Sequence, residues 1–196
     1  MKKNINSILL LIAILFATKC NENPVTRSVY LNDYTPYKVG AFWSYKATTP
    51  GFEFYLKEEV ILKEDNGYYL VMNTSNVIDT SNNNNYTIID TNYVRFTDEG
   101  LMVSVQGEID RYVLKKPYRK GTKWSWVSSD SIIYNLEIVE DSLTVNTPAG
   151  TFNQCLKVIM WLNNPYNPLV EYIFAPNVGI VTKGPFILQF YRIPII

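Results

Sequence analysis

The stretch Asp141-Ser142-Leu143-Thr144-Val145-Asn146-Thr147-Pro148-Ala149-Gly150-Thr151-Phe152 runs on into Asn153-Gln154-Cys155-Leu156-Lys157-Val158-Ile159-Met160-Trp161, and it sets the reading of the whole chain. Two runs with apolar alternation flank a short Pro-Ala-Gly connection, the pattern of a β-hairpin. Pro148 has no amide to give to a ladder and belongs at a strand end or turn. Gly150 can take a positive φ at little steric cost.

Outward from this hairpin the same pattern recurs. In Ser131 to Glu140, Ile132, Tyr134, Leu136 and Ile138 share one face, with Asn135 and Glu137 on the other. In Phe52 to Lys63, Phe54, Leu56, Glu58, Val60 and Leu62 share one parity. Asp65-Asn66-Gly67 then reads as a type I′ hairpin turn, with Tyr68 to Met72 returning. Asn82 to Asn85 reads as the polar tip of a longer loop, followed by two short strands, Tyr86–Asp90 and Tyr93–Thr97. Leu101–Val105, Tyr112–Leu114, Leu169–Ala175, Ile180–Lys183 and Phe186–Ile193 continue the series. The last is apolar on both faces, which places it centrally or against a covered cavity. Beyond the leader no window shows sustained helical periodicity. The expectation is an all-β, antiparallel meander of roughly ten to thirteen strands. Curling into an open barrel or half-barrel would bury one face and manage the edges.

The 196 residues suffice for one domain, 37–196 after a leader and tether, with a sizeable core. A hydrophobic fraction of 47% excludes global disorder, and 15 Tyr with 4 Trp favour strands. There is no His, which excludes Ser-His-Asp and Cys-His catalysis, His-ligated zinc and a His pH switch. Two Cys, Cys20 and Cys155, cannot build a disulfide framework or a four-cysteine metal site. No cofactor or metal site is expected. Without residues 1–19 the chain carries 15 Lys and Arg against 18 Asp and Glu, which argues against nucleic acid as a partner.

Met1-Lys2-Lys3 and the apolar run Ile8 to Ala17 read as a signal peptide over 1–19, because the run is too short to span a bilayer. Cys20 follows directly, then polar Asn21-Glu22-Asn23-Pro24, which resembles a bacterial lipoprotein processing site with Cys20 as the lipidated residue. The position before it is Lys19 rather than a small residue. Residues 20–36 read as the lipid-anchored tether of a cell-envelope protein. The other reading is cleavage after Ala17, giving a soluble secreted or periplasmic protein in which Cys20 could pair with Cys155.

Gly121-Thr122-Lys123-Trp124-Ser125-Trp126 echoes Gly40-Ala41-Phe42-Trp43-Ser44-Tyr45, which leaves both an internal repeat and chance similarity open. Tyr37…Gly40-Ala41-Phe42-Trp43-Ser44-Tyr45, Val145…Thr147-Pro148-Ala149-Gly150-Thr151-Phe152…Val158 and Tyr172-Ile173-Phe174-Ala175-Pro176-Asn177-Val178-Gly179-Ile180-Val181 together resemble a loose group of bacterial exported lipoproteins of unknown function. That group is distantly similar to the periplasmic lipoprotein carriers of the LolA/LolB type. The resemblance implies an open β-barrel and no catalytic residues. The carriers also have a helical lid, for which this chain shows no periodicity.

The candidate ligand-binding face is Trp43, Tyr45, Trp124 and Trp126, with Trp161, against plain core packing of the same rings. The acid pairs Asp98-Glu99 and Glu140-Asp141 sit at expected turns and read as solvated. Ser128-Ser129-Asp130-Ser131 has no base partner and no nucleophile elbow. Lys115, Lys116, Arg119, Lys120 and Lys123 form the single basic cluster, either a solvated loop or a surface for anionic headgroups. The functional expectation is a non-enzymatic envelope lipoprotein that binds an apolar ligand or a protein partner. The other is a structural lipoprotein with a filled core.

Overall fold

The computed structural model of the chain describes residue 34 and residues 36–82, 84–105, 110–163 and 167–195. Among them are twelve strands: β1 (Phe42–Thr49), β2 (Phe52–Lys63), β3 (Tyr69–Asp79), β4 (Asn84–Thr97), β5 (Gly100–Val105), β6 (Arg111–Lys115), β7 (Lys123–Val127), β8 (Ile133–Thr147), β9 (Gly150–Trp161), β10 (Val170–Ala175), β11 (Gly179–Lys183) and β12 (Phe186–Arg192). They form one antiparallel sheet in the order β6-β5-β4-β3-β2-β1-β12-β11-β10-β9-β8-β7. The sheet is thus two six-stranded meanders, joined where β1 pairs β12 with Phe42 opposite Arg192. It curls into a nearly closed barrel. The seam lies between β6 and β7, where the Trp124 indole donates to the Tyr112 carbonyl at 2.8 Å. No helix occurs among the described residues.

The anchoring hairpin turns where expected, with Pro148 and Ala149 in the turn and Gly150 at φ +138°. Three local expectations need correction. Gly67 alone of the Asp65-Asn66-Gly67 turn has positive φ, and its amide donates to Glu64 carbonyl at 3.0 Å. This is a three-residue loop ending in a left-handed glycine, not a type I′ pair. β3 and β4 are each one long strand, with Asn84 and Asn85 inside the ladder opposite Asp79 and Ile78. Ser131 and Ile132 precede β8, which continues unbroken through Asp141 because register shifts after Ile138 absorb the change of parity. β12 is central in strand order, yet its outward Phe190 is 57% exposed.

The repeated segment is duplicated in backbone geometry as well as in sequence. Pro36-Tyr37-Lys38-Val39-Gly40 leads into β1 as Pro117-Tyr118-Arg119-Lys120-Gly121 leads into β7. Gly40 amide donates to Val60 carbonyl and Val60 amide returns to Ala41; Gly121 donates to Ile138 and Ile138 returns to Thr122. Both glycines have positive φ, +83° and +87°. Each copy therefore begins a meander by the same turn. Only Gly adopts that φ without strain.

Register assigns the turns at 50–51, 80–82 and 184–185 to one end of the barrel. Those at 64–68, 98–99, 148–149 and 176–178 fall at the other. The second end is packed solid. Leu101, Leu114, Ile138, Leu156, Val158 and Phe174 are essentially inaccessible to solvent. Tyr34 and Pro36, placed in the tether by sequence, are buried here. Tyr34 hydroxyl donates to Gln154 carbonyl at 2.9 Å.

Candidate functional site

Toward the first end the interior is not filled. A cavity of about 260 Å³ is bounded by Tyr37, Glu58, Val71, Asn73, Asp90, Asn92, Leu101, Val103, Arg111, Tyr172, Ile180 and Lys183, among others. A second of about 210 Å³ shares Arg111, Val113 and Tyr172 with it and is otherwise walled by Trp126, Tyr134, Leu136 and Met160. The two are neighbouring compartments, and the acidic side chains and Lys183 line only the first. Leu101 and Val71 stand at the depth where the solid core begins.

Strand pairing explains the polar row. Glu58 lies opposite Asn73, and Asn73 opposite Asp90, so β2, β3 and β4 present three polar side chains in line. Asn73 Nδ2 donates to Asp90 Oδ1 at 2.6 Å and Asn92 Oδ1 at 2.9 Å. Asn73 Oδ1 is buried and accepts nothing from the protein. A buried acceptor without a donor is costly, about 1–3 kcal/mol.

Lys183 Nζ donates to Glu58 Oε1 at 2.8 Å. The Glu58 side chain is 11% exposed and that of Lys183 is 37% exposed, so the pair spans the step from interior to mouth. The Glu58 charge raises Lys183 above the ordinary ammonium value, and the carboxylate hydrogen bond adds to this against desolvation. Burial, then the Glu58 charge, raises the Tyr37 hydroxyl well above its usual range. Burial does the same for Tyr45, whose hydroxyl donates to Ile180 carbonyl at 3.1 Å. Both tyrosines stay protonated and can present an O–H. The chamber's formal charges, Glu58 and Asp90 against Arg111 and Lys183, balance.

The aromatic residues read from sequence divide among three places. Trp43 and Tyr45 are core, 2% and 1% exposed, with Trp43 Nε1 donating to Val178 carbonyl at 2.6 Å. Trp124 is buried at the seam. Trp126 alone lines the chamber, stacked on Tyr134 with ring centroids 4.0 Å apart and with Arg111 guanidinium 5.1 Å above it. Trp161 pairs with Asn135 one position beyond Met160, so it points to the outer face and borders a separate groove with Lys123, Trp124 and Ser125. A single residue of strand offset separates it from the interior. Cys20 lies outside the described residues. Cys155 is a buried free thiol, pushed up to about 11 by burial, and does not line the chamber.

Glu58, Asn73, Asp90, Arg111, Tyr172 and Lys183 did not stand out in the sequence. Glu58 carried the one legible signal, a lone charge in the apolar parity of β2. Glu58, Asn73 and Asp90 come from consecutive strands, but Arg111, Tyr172 and Lys183 come from strands far along the chain, and only the curled sheet brings them to the acids. Among the described residues no three His, Cys, Asp or Glu side chains converge to hold a metal ion. Comparison with family models, curated proteins and solved structures finds no match for this chain.

Proposed function

We propose that the protein is a lipid-anchored cell-envelope lipoprotein whose barrel binds a small amphiphilic molecule without chemical turnover. One observation carries this reading: a compartment walled by Trp126, Tyr134, Leu136 and Met160 adjoins one lined by the charged side chains of Glu58, Asp90, Arg111 and Lys183. A flat or chain-like apolar group fits against the Trp126–Tyr134 stack. A polar head fits beside the charged side chains of Glu58, Asp90, Arg111 and Lys183. The leader and Cys20 support the anchored location.

Anilinonaphthalene sulfonate, an aromatic amphiphile, tests the chamber. The folded chain takes it up saturably at one site, and uptake disappears on unfolding. Met160→Trp fills the apolar compartment and weakens uptake roughly tenfold, equivalent to about 1.4 kcal/mol, with the thermal midpoint held. A folded chain that takes up no probe leaves the filled-core structural reading in its place. The anchor is read from the mass of the mature chain, where an acyl group on Cys20 is expected and is lost in Cys20→Ala.

A further inference from the structure

The second copy of the duplicated turn carries a charge the first does not. Lys115, Lys116, Arg119, Lys120 and Lys123 fall within nine positions and line an open groove of about 530 Å³ between β6 and β7. Glu99 holds Lys115 at 2.9 Å and Glu137 holds Lys123 at 3.4 Å. Asp141 accepts the Lys120 backbone amide at 2.8 Å. The side chains of Lys116, Arg119 and Lys120 are in exposed residues and have no carboxylate partner among the described residues. Lys116 lies 6.0 Å from the Tyr118 ring, and Tyr118 packs edge-on against Tyr34, centroids 5.4 Å apart.

That last contact fixes a direction. The described chain begins at Tyr34, and Tyr34 rests on the basic loop at the solid end of the barrel, opposite the mouth. Residues 20–33 span at most about 50 Å even when fully extended, so an anchor at Cys20 keeps the loop within one short leash of the bilayer.

We propose that loop 115–123 docks the solid end of the barrel onto an anionic bilayer surface, leaving the ligand mouth turned to the aqueous side. Cations without acid partners gain most from a planar array of headgroup charges, and the attraction fades within a Debye length of about 10 Å at 0.1 M salt. The loop's own charge supplies this attraction whether or not Cys20 is acylated.

The test uses the full chain with vesicles of phosphatidylcholine alone or mixed with phosphatidylglycerol, and reads acylation of each lysine by a membrane-impermeant reagent. Site-by-site reading is needed because a chain that keeps its leader carries Lys2, Lys3 and Lys19 as further cations for anionic lipid. Lys116 and Lys120 are expected to be protected roughly fivefold in mixed vesicles relative to neutral ones, the factor one exposed cation contributes. High salt removes the protection. In a Lys116→Gln/Arg119→Gln/Lys120→Gln variant, Lys115 and Lys123 lose theirs while the near-ultraviolet circular dichroism stays unchanged. Equal acylation on the two vesicle types overturns the proposal. So does equal protection by inorganic phosphate in solution, which would make the loop a site for free anions.

Discussion

Pro36 to Tyr45 and Pro117 to Trp126 make the same backbone bonds and meet opposite surroundings. β1 is paired on both sides, by β2 and β12, and its inward aromatics become core. β7 is the last strand of the sheet, paired only with β8. Its Trp124 closes the seam and its Trp126 becomes a chamber wall. Tyr37 of the first copy tilts against Trp43 and Phe96 inside the barrel, while Tyr118 of the second packs on Tyr34 beneath the basic loop. A repeated turn thus conserves how a meander starts. What the aromatics then do is decided by the strand next door.

Truncating the two tryptophans strains this contrast most. Trp43→Ala empties an enclosed site and strips the Val178 carbonyl of its donor, for an expected loss of about 5 kcal/mol. Trp124→Ala opens at an unpaired edge where neighbours can relax, for a loss of about 3 kcal/mol. Urea titration reads both, and equal losses would break the comparison.

Alkaline pH comes next. Tyr37 keeps its proton in the folded state well past its ordinary value of 10.0, whereas the unfolded chain releases it there. Above pH 10 the folded chain therefore binds more protons, and stability falls as pH rises. The slope from this group approaches about 1.4 kcal/mol per pH unit. Tyr37→Phe should remove about 1.4 kcal/mol of the stability lost between pH 9 and 11. A slope that does not change would mean Tyr37 is solvated like a surface tyrosine.

The smallest effect sharpens the likeness rather than the contrast. A Cβ at Gly40 would come no nearer than 3.7 Å to Pro194, and one at Gly121 would meet open space. Both substitutions to Ala then cost about 1 kcal/mol through the positive φ alone. Thermal midpoints that shift unequally would show that the two turns differ in backbone strain.

Much of the fold was legible because its local rules agree. Alternation in β1, β2 and β9, and glycines at turns, gave strands and hairpins directly. Asn-rich segments misled: Asn84 and Asn85 read as loop, but cross-strand pairing with Asp79 and Ile78 holds them in β4. β8 was truncated in reading because its bulges break the two-residue period that reveals a strand. The chamber was harder still. Its aromatic wall was half seen in Trp126, but Lys183 meets Glu58 across 125 positions, and no local pattern encodes that distance.

The pairing of β1 with β12 carries a consequence for how the molecule is made. The first strand waits for the last: Phe42 pairs with Glu59 early but finds its second partner only when Arg192 has emerged. Until then a nascent chain holds two bare edges, β1 and whichever strand has just formed, each able to recruit another chain. Completion also demands closing the longest loop in the molecule, which slows folding. The few residues of β12 therefore act as the clasp of the sheet, and a chain that stops short of residue 186 would leave it unfastened.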